Sequence, residues 1–182
     1  MNKEKTTVAN GCFWCTETIF KRLKGVTSVE PGYSGGTKEN PTYEEVVSGD
    51  TGHAESIQIQ FNPSIISFEK LLEIFWHTHD PTTLNQQGYD HGTQYRSAIF
   101  YHDEKQKKIA TRLKNELDQE KVFSGPIVTE ITKFSGFYPA EDYHKNFYES
   151  GQRPDYCRFI IDPKLHKLLK EYSSEVKDEY KA

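Results

Sequence analysis

The fold of this chain is decided by the stretch TTVANGCFWCTETIFKRLKG, residues 6–25, in which a strand-like pattern changes to a helix-like one. Its first five residues favour a β-strand and are followed by a glycine, which interrupts extended structure. Apolar residues then recur at helical spacing from Phe13 to Leu23, and Gly25 is typical of a helix stop. The stretch therefore predicts a strand that passes directly into a helix, with Cys12 at the junction.

The rest of the chain continues this alternation of strands and helices. Ser67 is the expected N-cap of a second helix, which ends before Pro81. The order β-α-β-β-α-β, with further units after it, predicts an α/β (α+β) fold: a two-layer α/β sandwich with a ferredoxin-like core and a mixed sheet. The periodicities predict strands at residues 26–33, 54–61, 94–101 and 126–131, and helices at 67–80 and 103–121.

The C-terminal part is expected to add a helix and coil to this core. We predict a helix over residues 163–181 that packs against the body, and a helix that binds a partner is the alternative. Its apolar stripe consists of Leu165, Leu168, Leu169, Tyr172, Val176 and Tyr180.

Length and composition predict one domain. The 182 residues contain no repeat, low-complexity tract or linker, so we expect a single domain over 1–182 with its core at about 5–160. The 23 basic and 27 acidic residues are interspersed and leave a net charge of −4, which argues against nucleic-acid or membrane partners. No stretch approaches the roughly 18 consecutive apolar residues of a membrane span, and the first residues lack a signal-peptide core. A cytoplasmic monomer is the expectation.

Three cysteines, an odd number, point to thiol chemistry or metal binding rather than to a disulfide framework. Cys12 lies at the predicted first turn of a helix, where free N–H groups and the helix dipole favour a thiolate. A small buried residue is the alternative explanation. Cys15, three residues on, completes a Cys-x-x-Cys pair, which occurs in redox enzymes and in zinc sites.

The predicted strand 54–61 places a carboxyl group on its apolar face. Alternation puts Glu55 on the same side as Ile57, Ile59 and Phe61. Burial disfavours the charged form, so Glu55 is expected to have a raised pKa and to donate a proton near neutral pH. Pairing with Arg96 or another base is the structural alternative.

Histidines and glycine-rich turns raise the question of metal or nucleotide binding. His77 and His79 are two residues apart on a predicted helix and point to different faces, and no second Cys-x-x-Cys completes a tetrahedral site. The glycine-rich segments 32–36 and 88–92 lack the lysine of a phosphate-binding loop and are better explained as turns. We therefore expect no bound metal and no nucleotide cofactor.

The ordered set of motifs resembles one family, the A-type peptide methionine sulfoxide reductases (MsrA). The resemblance covers the chain from Gly11 to about Cys157, and the motifs in this order are very specific as a set. They are GCFW at 11–14, GYSGG at 32–36, NPTY at 40–43, TGHAE at 51–55, HDPTT at 79–83, QGYDHGTQYRS at 87–97 and AEDYH at 140–144.

The resemblance implies the reaction and the residues that carry it. The substrate would be the S epimer of methionine sulfoxide, protein-bound or free, and the biological role repair of oxidised proteins under oxidative stress. A sulfenic acid formed on the nucleophile would condense with a second thiol to a disulfide, which an external dithiol, thioredoxin, reduces, so that no bound cofactor is needed. The implied roles are Cys12 as nucleophile, Glu55 as acid, Tyr43, Tyr95 and Asp90 as polar groups around the sulfoxide oxygen, and Phe13 and Trp14 as the cup for the S-methyl group.

Two cysteines compete for the resolving role. Cys15 is close in sequence to Cys12, whereas Cys157 matches a resolving position of other family members and follows a stretch, 151–155, that is expected to be mobile. We prefer Cys157 for the first disulfide, with Cys15 as the alternative or as a relay. His144 and Glu141 lie in a family-like motif, and a structural role for them competes with a catalytic one.

Two other functions are weighed against this one. A general thiol-disulfide oxidoreductase would need only Cys12 and Cys15, and would leave the apolar-face Glu55 and the tyrosines unexplained. A structural zinc module would bind metal stoichiometrically and lose its fold with a chelator.

Overall fold

One mixed sheet of six strands organises the computed structural model, which describes residues 3–181. Two further strands form a short separate hairpin. In chain order the strands are β1 (Glu4–Asn10), β2 (Val26–Ser34), β3 (Ala54–Phe61), β4 (Gln86–Gln87), β5 (Asp90–His91), β6 (Ser97–Tyr101), β7 (Glu130–Lys133) and β8 (Phe137–Pro139), and the hairpin is β4 with β5.

The sheet order is β7-β6-β1-β3-β2-β8. Strand β3 lies between β1 and β2 and is antiparallel to both, and β6 is antiparallel to β1. Strand β7 runs parallel to β6, which makes the sheet mixed. The predicted two-layer α/β sandwich with a β-α-β-β-α-β core is therefore confirmed.

Seven α-helices accompany the sheet in the described residues. Ser67 caps α3 as predicted, because its Oγ accepts a hydrogen bond from the Lys70 N–H at 3.1 Å. The helices are α1 (Phe13–Phe20), α2 (Tyr43–Val47), α3 (Phe68–His77), α4 (Glu104–Gln119), α5 (Phe147–Ser150), α6 (Pro154–Tyr156) and α7 (Asp162–Glu171).

The predicted strand at 126–131 is displaced to β7 at Glu130–Lys133. Pro126 has no backbone N–H to offer. The Ile127 N–H donates to the Asp118 side chain and the Val128 N–H to the Pro81 carbonyl, both at 2.8 Å. These loop contacts use the donors that a strand would need.

Other element ends also differ from the sequence prediction, and α3 ends at His77 rather than at residue 80. Helix α1 ends at Phe20 rather than at Gly25, and residues 93–95 form a 3₁₀ turn before β6 rather than part of the strand. The C-terminal helix ends at Glu171, because the following segment pairs with residues 22–24 through Lys24 N–H to Glu175 O and Lys177 N–H to Arg22 O. The predicted packing stripe is nevertheless buried at Leu165, Leu168, Tyr172 and Val176.

The two faces of the sheet are covered differently. On the helix side, Val8, Ile57, Ile59 and Ile99 join the main core. The opposite side carries a smaller cluster of Ala9, Ala54, Ala98 and Phe100. Among the described residues, no helix combines the length and apolarity needed to cross a bilayer.

Candidate active site

Cys12 lies where β1 gives way to α1, as the N-cap of that helix. Its carbonyl accepts hydrogen bonds from the N–H groups of Cys15 at 3.1 Å and Thr16 at 3.3 Å. Gly11 turns the chain with a φ of +100°, and a Cβ there would lie 2.7 Å from the Gln87 side chain. The junction therefore requires glycine before the thiol.

The Cys12 and Cys15 thiols are both buried, and each affects the pKa of the other. Burial raises the pKa of Cys12 well above its usual range, and the hydrogen bond from Cys12 lowers the pKa of Cys15 to about 7. The sequence predicted a lowered pKa for Cys12 itself. Desolvation outweighs the helix dipole there, so the more acidic thiol of the pair is Cys15.

Glu55 projects from β3 toward the start of α1, on the helix side of the sheet. Its Oε2 accepts a hydrogen bond from the Phe13 N–H at 3.0 Å, and only 1% of the residue is exposed. Burial raises the pKa of Glu55 to about 8, and the Phe13 hydrogen bond opposes this only in part. The carboxyl group is therefore protonated at neutral pH. The residue whose N–H donates to it, Phe13, follows Cys12 directly in the sequence.

Arg96, the base considered as a partner for Glu55 or Asp90, is engaged elsewhere. Its Nε lies 3.2 Å from Glu130 Oε2, and its other nitrogens donate to the carbonyls of Thr93 and Gly52. The parallel pairing of β6 with β7 produces this contact, which the local sequence pattern does not reveal.

Three polar side chains surround the carboxyl and the thiol. Tyr43 begins α2, and Tyr95 ends the 3₁₀ turn before β6. Burial, followed by the charge of Glu55, raises the pKa of both phenols, so they remain hydrogen-bond donors. Asp90 on β5 accepts a hydrogen bond from the Tyr156 hydroxyl at 3.4 Å, and burial raises its pKa.

Phe13 and Trp14 belong to an aromatic cluster at the start of α1. The Trp14 ring stacks on Phe147 with centroids 3.7 Å apart, and its Nε1–H donates to His144 Nδ1 at 3.0 Å. The Phe13 ring stacks on Tyr43 with centroids 6.5 Å apart. The indole is therefore held both by stacking and by a hydrogen bond.

His144 and Glu141 support this cluster. The Trp14 hydrogen bond uses His144 Nδ1 as the acceptor, so the ring proton is on Nε2, which lies 3.4 Å from Glu141 Oε2. Burial lowers the pKa of His144, which favours this neutral form. His144 contacts Trp14 and Glu141 contacts His144, which is the geometry of positioning groups.

Three site residues were missed from the sequence. Glu17 on α1 accepts hydrogen bonds from the Asn146 N–H at 3.0 and 3.1 Å and so holds the start of α5, where Phe147 lies. The Tyr156 hydroxyl lies 3.9 Å from Cys15 Sγ. Helical spacing from Phe13 and from His144 gives a weak signal for Glu17 and Phe147, whereas nothing in the local pattern singles out Tyr156.

Cys157 is a free, buried thiol at the start of a π-helical turn, Cys157–Ile161. The stretch expected to be mobile ends in helix α6 from Pro154, and this helix runs directly into the π-helical turn. Burial raises the pKa of Cys157. Helical backbone, rather than a loop, therefore carries this candidate resolving thiol.

The histidines considered for metal binding are engaged in structural hydrogen bonds. His79 Nδ1 bonds to the Phe75 carbonyl at 2.6 Å, and its Nε2 to Ser97 Oγ at 2.8 Å. Within residues 3–181, no three His, Cys, Asp or Glu side chains are grouped so that they could hold a metal ion.

Comparison with known proteins gives a consistent result. The family model described as peptide methionine sulfoxide reductase matches residues 4–177. The chain is 54% identical to the peptide methionine sulfoxide reductase MsrA of Saccharolobus solfataricus, over 96% of this chain and 97% of that protein. It is also 54% identical to the protein of the same name from Sulfolobus acidocaldarius, over 93% and 95%.

A solved structure agrees with these relatives. The crystal structure of Mxr1 from Saccharomyces cerevisiae in reduced form matches with a TM-score of 0.78 and 33% identity, and the match covers 83% of this chain and 87% of that one. The comparisons favour neither a general thiol-disulfide oxidoreductase nor a zinc module. Because the family model matches nearly the whole chain, and a thiol pair lies beside a buried carboxyl group, the chain belongs to the peptide methionine sulfoxide reductase family, of the MsrA type.

Proposed function

We propose that this chain reduces the S epimer of methionine sulfoxide, protein-bound or free, with Cys12 as the nucleophile and Glu55 as the proton donor. The observation that carries the assignment is the buried Glu55 carboxyl, hydrogen-bonded to the Phe13 N–H beside the thiol and protonated at neutral pH. Sulfoxide oxygen leaves poorly unless it is protonated, so an acid and a thiolate must meet at adjacent atoms of the substrate.

In the first step, the Cys12 sulfur attacks the sulfoxide sulfur. Its own proton passes to the Cys15 thiolate, to which it is hydrogen-bonded, while Glu55 protonates the sulfoxide oxygen. Tyr43 and Tyr95 donate hydrogen bonds to that oxygen as its charge develops. Collapse releases methionine, and the hydroxyl group stays on Cys12 as a sulfenic acid.

The cup for the S-methyl group is formed by Phe13 and Trp14. The Trp14 plane is fixed by the Phe147 stack and by the His144 hydrogen bond, so the cup is preorganised. Glu141 and Glu17 are positioning residues, because the first faces His144 and the second holds the segment that carries Phe147.

In the second step, the thiol that first attacks the sulfenic acid is Cys15 rather than Cys157. A Cys12–Cys15 disulfide forms, and the hydroxyl group leaves as water with the Cys15 proton. The effect of the Cys12 thiol on the pKa of Cys15 supports this order, and so does the buried, helical position of Cys157. This assignment differs from the preference for Cys157 that loop composition suggested.

A protein dithiol of the thioredoxin type then regenerates the enzyme. Two electrons pass from the dithiol to the Cys12–Cys15 disulfide through a mixed disulfide, and the dithiol is released oxidised. The cycle needs no other electron carrier, so sulfoxide reduction and dithiol oxidation balance.

The direct test is turnover of the separated S and R epimers of a blocked methionine sulfoxide, with dithiothreitol as reductant. The native protein is expected to consume the S epimer alone, and Cys12→Ser to consume neither. Cys157→Ser serves as the matched thiol control and is expected to retain turnover with dithiothreitol. Consumption of the R epimer, or activity that survives in Cys12→Ser, would contradict the proposal.

The order of the thiols has its own test. We expect one turnover without reductant to give a Cys12–Cys15 disulfide, detected by mass spectrometry of the protease-digested protein. In Cys157→Ser the same bond is expected, whereas Cys15→Ser should accumulate sulfenic acid, trapped with dimedone. A Cys12–Cys157 bond in the native protein at the earliest time would overturn the order.

A further inference from the structure

An opening at the protein surface reaches the thiol pair. A cavity of about 240 Å³ has Cys12 and Cys15 in its wall. The β4–β5 hairpin lines one side of this cavity, and the segment 156–164 lines the other. Glu55, Phe13 and Trp14 are not among the residues that line this cavity. The cavity wall at the two cysteines therefore includes Asp90 and Tyr156 but not the proton donor.

The mouth of this cavity exposes two aromatic rings. Tyr89, in the β4–β5 turn, is 90% exposed, and Phe159, on the π-helical turn, is 69% exposed. They are the most exposed large apolar side chains of the described residues, and both line the same cavity although they are 70 positions apart in sequence. Exposed aromatic side chains beside a reactive group are typical of protein contact sites.

We propose that this mouth, with Tyr89 and Phe159 as its two contact rings, is the docking site of the protein dithiol that regenerates the enzyme. The inference rests on the proposed function, because it assumes that a Cys12–Cys15 disulfide forms during turnover. It assigns to this chain a reductant face separate from the cup that takes methionine sulfoxide.

The chemistry of the two steps distinguishes the two molecules that could enter this cavity, methionine sulfoxide and the protein dithiol. Sulfoxide reduction needs a proton donor at the reacting oxygen, and this cavity offers no Glu55 carboxyl. Disulfide exchange needs only access of a thiolate to a sulfur. The volume also lies below the roughly 300–1,000 Å³ of pockets that enclose a whole small molecule, and so suits the entry of a single side chain from a docked protein.

The proposed thiol–disulfide exchange at the Cys12–Cys15 bond balances in atoms and electrons. A thiolate of the docked dithiol attacks the Sγ of Cys12, the more exposed of the two residues, and the Cys15 sulfur leaves with the electron pair. Lys164, on the wall of the cavity, lies near this leaving thiolate and stabilises its charge. The second thiolate of the partner then attacks the mixed disulfide, frees Cys12, and leaves the partner oxidised.

The test compares a protein reductant with a small one on a disulfide made without sulfoxide. In a Cys157→Ser background, diamide oxidation leaves Cys12–Cys15 as the intramolecular disulfide that can form. Its reduction by a purified thioredoxin and by dithiothreitol is followed in Tyr89→Ala, Phe159→Ala and the double variant. Ile65→Ala is the control, since Ile65 is 59% exposed and lies outside the cavity lining.

We expect subsaturating thioredoxin to reduce the double variant at least about tenfold more slowly than the Ile65→Ala control, as for the loss of interface hot spots. Reduction by dithiothreitol should match the control. Equal thioredoxin rates in all variants would overturn the proposal. So would a raised KM for a sulfoxide peptide in dithiothreitol-supported turnover, since the face would then bind oxidised polypeptide. Because the disulfide is made with diamide, failure of sulfoxide turnover would refute the proposed function separately.

Discussion

The pKa of Cys15 is lowered by three neighbouring groups and raised by burial and a fourth neighbour. The Cys12 hydrogen bond, the Lys164 charge and the Tyr156 hydroxyl lower the pKa, whereas burial and the Asp90 carboxylate raise it. Lys164 is the one cation among them and is half-buried on α7. Its charge is therefore the part of this arrangement that can be removed with the least change in shape.

Lys164→Gln is predicted to raise the pKa of Cys15 by on the order of 0.5, the size expected for a charge screened by solvent. The pKa is read from the ultraviolet absorbance of the thiolate against pH, in a Cys157→Ala background. Lys167→Gln, an exposed lysine on the same helix, is the matched control. An unchanged Cys15 titration in Lys164→Gln would show that Lys164 does not act on this thiol.

At the scale of elements, the junction between β1 and α1 is the most constrained part of the site. Gly11 has a positive φ, and the Gln87 side chain that faces it is fixed by two hydrogen bonds with the backbone of Asp80. A methyl group at residue 11 would therefore meet atoms that cannot move aside. The strand and the helix can join here only through glycine.

Gly11→Ala is predicted to lower the free energy of unfolding by roughly 1–3 kcal/mol, through a strained φ and the contact with Gln87. Urea unfolding measures this change. Gly136→Ala is the control, because a Cβ there meets no atom within 4 Å. If the two variants unfold at the same urea concentration, the close approach to Gln87 is not a real constraint.

The elements also show what a sequence can predict. Helix α1 and strand β3 were predicted because their periods are local, and this was enough to find Cys12 and Glu55. Strand β7 was misplaced because the donors of residues 127 and 128 are taken by partners elsewhere in the chain. Glu17 and Tyr156 were missed for a similar reason, since their site contacts span 129 and 141 positions.

For the whole molecule, sheet order brings the acid to the nucleophile. Because β3 inserts between β1 and β2, the start of β3 lies beside the end of β1, and the Glu55 carboxyl reaches the backbone of Phe13 across 42 positions. The helix layer then seals the carboxyl from water, and this burial keeps it protonated. The fold thus supplies both the proximity and the raised pKa that the chemistry requires.

The pKa values of Glu55 and Cys15 also predict how the rate of sulfoxide reduction depends on pH. Glu55 donates a proton only below its pKa of about 8, so the reaction should slow as pH rises through that value. The Cys15 thiolate, which accepts the Cys12 proton, is populated above about 7, so the rate should also fall at lower pH. Sulfoxide reduction is therefore expected to be fastest between these two values.

The most direct measurement is the single-turnover rate of methionine release from pH 5 to 10, in the native protein and in Glu55→Gln, with Glu116→Gln on α4 as control. We predict a loss of about 10²–10⁴-fold in Glu55→Gln, with no fall in rate above pH 8 and with thiol alkylation retained. A loss below about tenfold, with the fall above pH 8 still present, would contradict the central claim that Glu55 is the proton donor.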